Sequence, residues 1–150
     1  MMKTILLLLC TAIFIGCNSG KNKSVSENHE EHIHTKAGPA LALNNGEKWS
    51  ADSATNKNVT DLQIITDNFK STGSPSIDDY KTVGNDLHNG IQKMITDCKM
   101  TGPDHEALHH WLEPVLNETT QLQNAADTFE AGRLFDSLKN HISSYYNFFE

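Results

Sequence analysis

The residues of this chain best suited to chemistry are concentrated in one short stretch, from Cys98 to Trp111. It contains a thiol, a thioether and three imidazoles, and the candidate ligands among them are Cys98, Met100, His105 and His109. His105 and His109 are four residues apart, so on a helix they lie one above the other, where both side chains can reach one ion. Thiolate, thioether and imidazole ligands together favour Cu(I), with Zn(II) next. The stretch therefore predicts a site for a copper or zinc ion.

The same residues also have structural interpretations. Histidine pairs at this spacing occur on many surface helices, and Met94 falls in the apolar stripe of its helix, where packing is its expected role. His141 lies between Leu138 and Tyr145 on an apolar face. It is a weaker candidate ligand, and the alternative is a histidine that is hydrogen-bonded in the core. A metal-free role for these residues therefore stays open.

The stretch from Cys98 to Trp111 has to be positioned by the fold. Four blocks of apolar residues at helical spacing predict four helices that do so. The first helix is expected over residues 52 to 71, the second after a capping box at Ser76, and the third from Pro103. The fourth is expected to run to the C-terminus. Pro114 lies inside the third helix and should kink it. Because short connections make antiparallel neighbours, the sequence predicts an all-α domain over residues 41–150, an up-down-up-down antiparallel four-helix bundle. The first helix would then begin at the same end as Cys98.

The first sixteen residues indicate where the protein is sent. Lys3, the apolar run from residue 5 to residue 15, and Gly16 followed by Cys17 form the signal peptide of a bacterial lipoprotein. The apolar run is shorter than the roughly 20 residues that a membrane-spanning helix needs. Cleavage would make Cys17 the lipidated first residue. We therefore expect a protein of the bacterial cell envelope, lipid-anchored and facing the periplasm, with the outer membrane preferred over the inner.

Residues 17–40 would form the lipidated cysteine and a tether. The tether is polar and lacks periodicity, so it is predicted to be disordered. It contains His29, His32 and His34. A histidine-rich tract of this kind either scavenges metal weakly or serves only as a polar linker, and the sequence supports both interpretations equally.

The net charge and the cysteine content limit which binding partners and which disulfides this protein can have. The net charge is −7, and removal of Lys3 with the signal peptide makes it more negative. This charge argues against a nucleic-acid partner, because phosphate binding needs a basic surface. Membrane contact beyond the lipid is not expected either. Cys10 leaves with the signal peptide and Cys17 carries the lipid, so Cys98 is the only thiol of the mature chain and no internal disulfide can form.

Two motifs carry a resemblance to a known group of proteins. The segment from Leu43 to Trp49 contains Asn44-Asn45-Gly46-x-x-Trp49, and the segment from Cys98 contains Cys98-x-Met100-x-Gly102-x-x-His105-x-x-Leu108-His109. With these motifs the chain resembles a family of small envelope lipoproteins of Gram-negative bacteria that has no established activity. The resemblance covers most of residues 41–150. It implies a helical, envelope-located domain with metal association.

The leading hypothesis is a lipid-anchored periplasmic protein that binds copper or zinc at Cys98, Met100, His105 and His109, as a metal buffer or chaperone. A metal-free interaction or scaffold module is the alternative. A weaker alternative is a noncovalent haem-binding bundle with histidine and methionine axial ligands. An enzyme is least favoured: Cys98 and His105 could imitate a thiol–base pair, yet the sequence indicates no oxyanion site or substrate cleft.

Overall fold

The computed structural model describes residues 40–69 and 74–150, which form four α-helices and a final 3₁₀ turn. The helices are α1 (Ser53–Asn68), α2 (Ile77–Asp97), α3 (Gly102–Gln123) and α4 (Thr128–Ser143), and the 3₁₀ turn is Tyr145–Asn147. Each helix packs against the next along the chain, and α4 also contacts α1 and α2. The predicted all-α four-helix bundle is confirmed. In the described ranges, β-pairing is limited to two isolated bridges. The predicted signal peptide, Cys17 and the histidines of the tether lie outside the described residues.

Polar side chains fix where the helices begin. The Asp52 carboxylate accepts the Thr55 backbone N–H at 2.6 Å at the start of α1. Ser76 forms the predicted capping box with Asp79 at the start of α2. Asp127 accepts the backbone N–H of Glu130 at 2.9 Å at the start of α4. Each of these oxygens takes up an N–H that the first helical turn leaves without a partner.

The prediction that the fourth helix runs to the C-terminus is wrong. The helix ends at Ser143, and residues 148–150 fold back to pair with residues 49–51. The Trp49 N–H donates to the Phe148 carbonyl at 2.8 Å, and the Glu150 N–H donates to the Trp49 carbonyl at 3.0 Å. Tyr145 and Phe149 are fully buried and stacked, with ring centroids 4.7 Å apart. The burial of these two rings favours the reversal over further helical turns.

The core lies between the four helices. Its largest fully buried side chains are Trp111, Tyr145, Phe149, Leu62, Leu87, Ile91, Met94, Leu122, Leu138 and Ile142. The edge of Tyr145 meets Trp111 at a centroid distance of 5.0 Å. Met94 is 1% exposed and so takes the packing role expected from its stripe. No helix in the described ranges combines the length and the hydropathy needed to cross a membrane.

Candidate metal centre at the junction of α2 and α3

The junction of α2 and α3 brings the predicted site residues together. Cys98 ends α2, with its N–H donating to the Met94 carbonyl at 3.0 Å. The chain then runs in extended form to Gly102, whose φ of +69° is a left-handed conformation that glycine adopts without strain. Helix α3 begins at this glycine, and the first turn of the helix brings His105 beside Cys98.

Cys98, His105 and His109 form a continuous row. The Cys98 Sγ is 3.7 Å from His105 Nδ1, and His105 Nε2 is 2.8 Å from His109 Nε2. Cys98 and His105 are half-buried, whereas His109 is exposed. His105 therefore lies in the middle and uses both ring nitrogens, one for the thiol and one for the second imidazole.

One ion cannot take all three donors in this arrangement, because the thiol and His109 face opposite nitrogens of His105. Over the described residues, no group of three His, Cys, Asp or Glu side chains converges in a way that could hold a metal ion. The row offers a two-donor site at Cys98 Sγ and His105 Nδ1. Two ligands of one tetrahedral or trigonal ion, with bonds of about 2.3 Å to sulfur and about 2.0 Å to nitrogen, are about 3.5 to 3.7 Å apart. The observed separation of 3.7 Å fits that geometry.

His109 has a different role in this geometry from the one expected of it. It contacts the ring nitrogen of His105 that points away from the thiol. Metal-binding histidines commonly engage a hydrogen-bond partner through their second nitrogen, which fixes the ring orientation. His109 is therefore suited to orient His105.

The other predicted ligands lie elsewhere or have other partners. Met100 is half-buried and packs against the hydrophobic core. His141 lies between α3 and α4, where its Nδ1 is 3.4 Å from Glu118 Oε2. Its carbonyl accepts the indole N–H of Trp111 at 3.3 Å. The structure thus brings Cys98, His105 and His109 into one row, whereas Met100 does not line the groove beside that row and His141 lies next to Glu118.

Asp52 fixes the junction to the start of α1. One carboxylate oxygen caps α1 at Thr55, and the other accepts the Lys99 backbone N–H at 2.7 Å. Nearby, the Ser50 N–H donates to Asp104 at 3.0 Å. Burial by itself would raise the pKa of Asp52, but the hydrogen bonds from Thr55 and Lys99 outweigh it and lower the pKa below its ordinary value. The predicted position of the α1 start beside Cys98 is therefore correct.

The last turn of α2 is fixed in a similar way. Asp97 accepts a hydrogen bond from Lys93 and another from the buried Asn58 amide of α1, the latter at 2.9 Å. These contacts, the one from Lys93 first, lower the pKa of Asp97. Sequence reasoning missed Asp97 and Asn58, since nothing in the spacing of either residue indicates a partner on another helix.

A largely apolar groove, also missed by sequence reasoning, runs beside the row of donors. We call it the α2–α3 groove. Its volume is about 860 Å³. It is lined by Met94, Ile95, Cys98, His105, Leu108, His109, Leu112, Glu113, Leu116, Asn117 and Thr120. Met94, Leu108 and Leu112 are buried and form its floor, while Ile95 is 44% exposed at its side. Residues of both α2 and α3 line the groove. The apolar stripe of either helix alone therefore does not predict it.

Comparison of the chain with protein-family models, with curated proteins and with solved structures gave no match. The resemblance to envelope lipoproteins therefore stays a prediction from the two sequence motifs.

Proposed function

We propose that this chain is a lipid-anchored protein of the bacterial envelope that binds one copper or zinc ion through Cys98 and His105, as a metal buffer or chaperone. The observation that carries the proposal is the 3.7 Å separation of the thiol sulfur and His105 Nδ1. That separation is the one two ligands of a single ion adopt, and both ligands are of the soft or borderline type that Cu(I) and Zn(II) prefer. The signal-like first seventeen residues support the anchor and the location.

A site with two protein donors suits transfer better than permanent storage. Structural zinc sites are closed by four protein ligands, whereas an ion held by two keeps positions open for water or for an incoming ligand. The site is also reachable from outside, since Cys98 and His105 are only half-buried. An accessible, incompletely filled coordination sphere is what a buffer or chaperone needs to pass its ion on.

The test is metal content and affinity, measured by elemental analysis and by competitive titration with Cu(I) and Zn(II). A chain starting at residue 38 is compared with one starting at residue 18, so that the predicted tether is present in only one of them. The proposal expects stoichiometric binding by the shorter chain, lost in Cys98→Ala and in His105→Ala. His109→Ala should weaken binding by roughly 10- to 100-fold, the usual effect of removing a group that orients a ligand.

His141→Ala is the matched control, because that histidine is bound to Glu118 and stands apart from the thiol. It should leave the affinity unchanged. Binding only by the longer chain would assign the metal to His29, His32 and His34 of the tether. Binding by neither chain would overturn the proposal and leave a metal-free interaction module, for which the apolar α2–α3 groove is the surface to test.

A further inference from the structure

The pair formed by Cys98 and His105 supplies half of the ligands that a closed zinc site needs. Structural zinc sites are tetrahedral and hold the ion with four cysteine or histidine donors. In residues 40–69 and 74–150, no third His, Cys, Asp or Glu side chain converges on this pair. The two missing donors therefore have to come from outside the described residues.

A second copy of the chain has both missing donors in the right arrangement. Two copies related by a two-fold axis present the same surface to each other. An axis that passes beside Cys98 and His105 brings the two pairs to one point, as a set of two cysteines and two histidines. The 3.7 Å spacing already fits two ligands of one tetrahedral ion, so neither copy has to rearrange them. His109 keeps its contact with His105 Nε2.

We propose that one Zn(II) ion joins two copies of this chain, each of which contributes Cys98 and His105. The inference rests on the proposed function, because it uses the same two ligands. It adds which ion is bound and which molecule fills the open coordination positions. The paired copies hold the ion, and their separation reopens its coordination sphere for transfer.

The surface around the pair is apolar, as a contact between copies requires. The α2–α3 groove adjoins both donors and is lined largely by apolar side chains. Ile95 lies one helical turn before Cys98, lines the groove and is 44% exposed. A second copy that shares the ion would cover Ile95 and the groove beside it. The removal of this apolar surface from water favours the association.

The charge of the chain makes the ion necessary for this association. The full sequence carries a net charge of −7, and Glu113 lies in the groove lining. Two copies with the same negative charge repel each other, and the two Glu113 carboxylates add to the repulsion. A bound cation offsets part of it. We therefore expect single chains without metal and paired chains with Zn(II).

The experiment measures molecular mass by analytical ultracentrifugation and zinc stoichiometry by titration, on the chain starting at residue 38. That chain contains all four helices and the complete core, and Cys98 is its only thiol. Without metal it should have the mass of one chain. With Zn(II) the mass should double, and binding should saturate at half an equivalent per chain. Cys98→Ala and His105→Ala should stay single with Zn(II).

Ile95→Glu tests the surface without removing a donor. The position is partly exposed, so the fold should tolerate the change, but the new charges of the two copies would lie close together at the contact. The variant should stay single with Zn(II). Its zinc affinity should fall by more than the roughly 10- to 100-fold expected for loss of an orienting group, because two of four ligands are lost. Ile64→Glu is the matched control: Ile64 is 51% exposed on α1 and outside the groove, so this variant should pair as wild type does.

The further inference and the proposed function fail in distinguishable ways. A single chain that binds one Zn(II) ion through Cys98 and His105 would overturn the inference alone and leave the groove free for another partner. Pairing that needs no metal, that persists in Cys98→Ala or Ile95→Glu, or that is lost in Ile64→Glu would also overturn it. Absence of metal binding by the wild-type chain would overturn both.

Discussion

Asp52 and Lys99 are 47 residues apart in the chain, yet the Asp52 carboxylate accepts the Lys99 backbone N–H at 2.7 Å. The other oxygen of the same carboxylate caps α1 by accepting the Thr55 N–H at 2.6 Å. One side chain therefore begins a helix and also fixes the residue that follows Cys98. The position of the candidate thiol ligand depends on this bond as well as on its own helix.

Asp52→Ala should lower the free energy of unfolding by about 1 to 2 kcal/mol, since it removes the cap of α1 and leaves the Lys99 N–H without its acceptor. It should also weaken metal binding, because Lys99 adjoins Cys98. Urea denaturation and metal titration measure the two effects.

Asp127→Ala is the matched control: Asp127 caps α4 by the same type of bond, at Glu130. It should lower stability by about 1 kcal/mol and leave metal affinity unchanged. Equal loss of affinity in both variants would contradict this role of Asp52.

Stability should fall in acid partly because of the same carboxylate. The pKa of Asp52 in the folded chain is below its ordinary value of 3.8. A lowered pKa means that the ionised form stabilises the fold above that ordinary value, and that this contribution is lost as the pH falls through the lower, folded-state pKa. Asp52→Asn keeps a good capping side chain but cannot titrate. Thermal unfolding from neutral pH down to pH 3 should therefore show a shallower decline in the variant; parallel curves would contradict the assignment.

Bound metal should protect Cys98 from alkylation. The thiol is half-buried and 3.7 Å from His105 Nδ1, so an ion between them would occupy the sulfur. We expect the rate of reaction with iodoacetamide to fall when Zn(II) or Cu(I) is added, and to rise again with a chelator. In His105→Ala the metal should no longer slow the reaction. Protection that survives in this variant would show that His105 is not the second ligand.

The folded-back C-terminus should be a major source of stability. Phe149 is fully buried and stacks on Tyr145, so Phe149→Ala should lower the free energy of unfolding by about 3 to 5 kcal/mol. Phe129 provides the control, because it is 77% exposed at the start of α4. Phe129→Ala should change stability by no more than about 0.5 kcal/mol. Similar losses in the two variants, measured by urea denaturation, would mean that the C-terminal segment does not hold the bundle as described.

Much of the fold could be predicted because its signals are local. Apolar spacing, the capping box at Ser76 and the position of Pro103 in the first turn of α3 depend on residues within a few positions of each other, and these predicted α2 and α3 closely. The first helix ends at Asn68, short of the expected residue 71. The fourth was predicted too long because the burial of Phe149 against Tyr145 and the pairing of residues 49–51 with 148–150 involve no local pattern.

In the candidate site, too, the local features could be predicted from the sequence, whereas the contacts between distant residues could not. The sequence by itself determined which donors could meet, since the spacing of His105 and His109 and the turn at Gly102 are local properties of the chain. Only the tertiary structure decided that Cys98 faces Nδ1 and His109 faces Nε2, that His141 pairs with Glu118, and that a groove lies between α2 and α3. The physical reason is that the direction of a side chain within a packed bundle is set by neighbours distant in sequence, which helical periodicity does not encode.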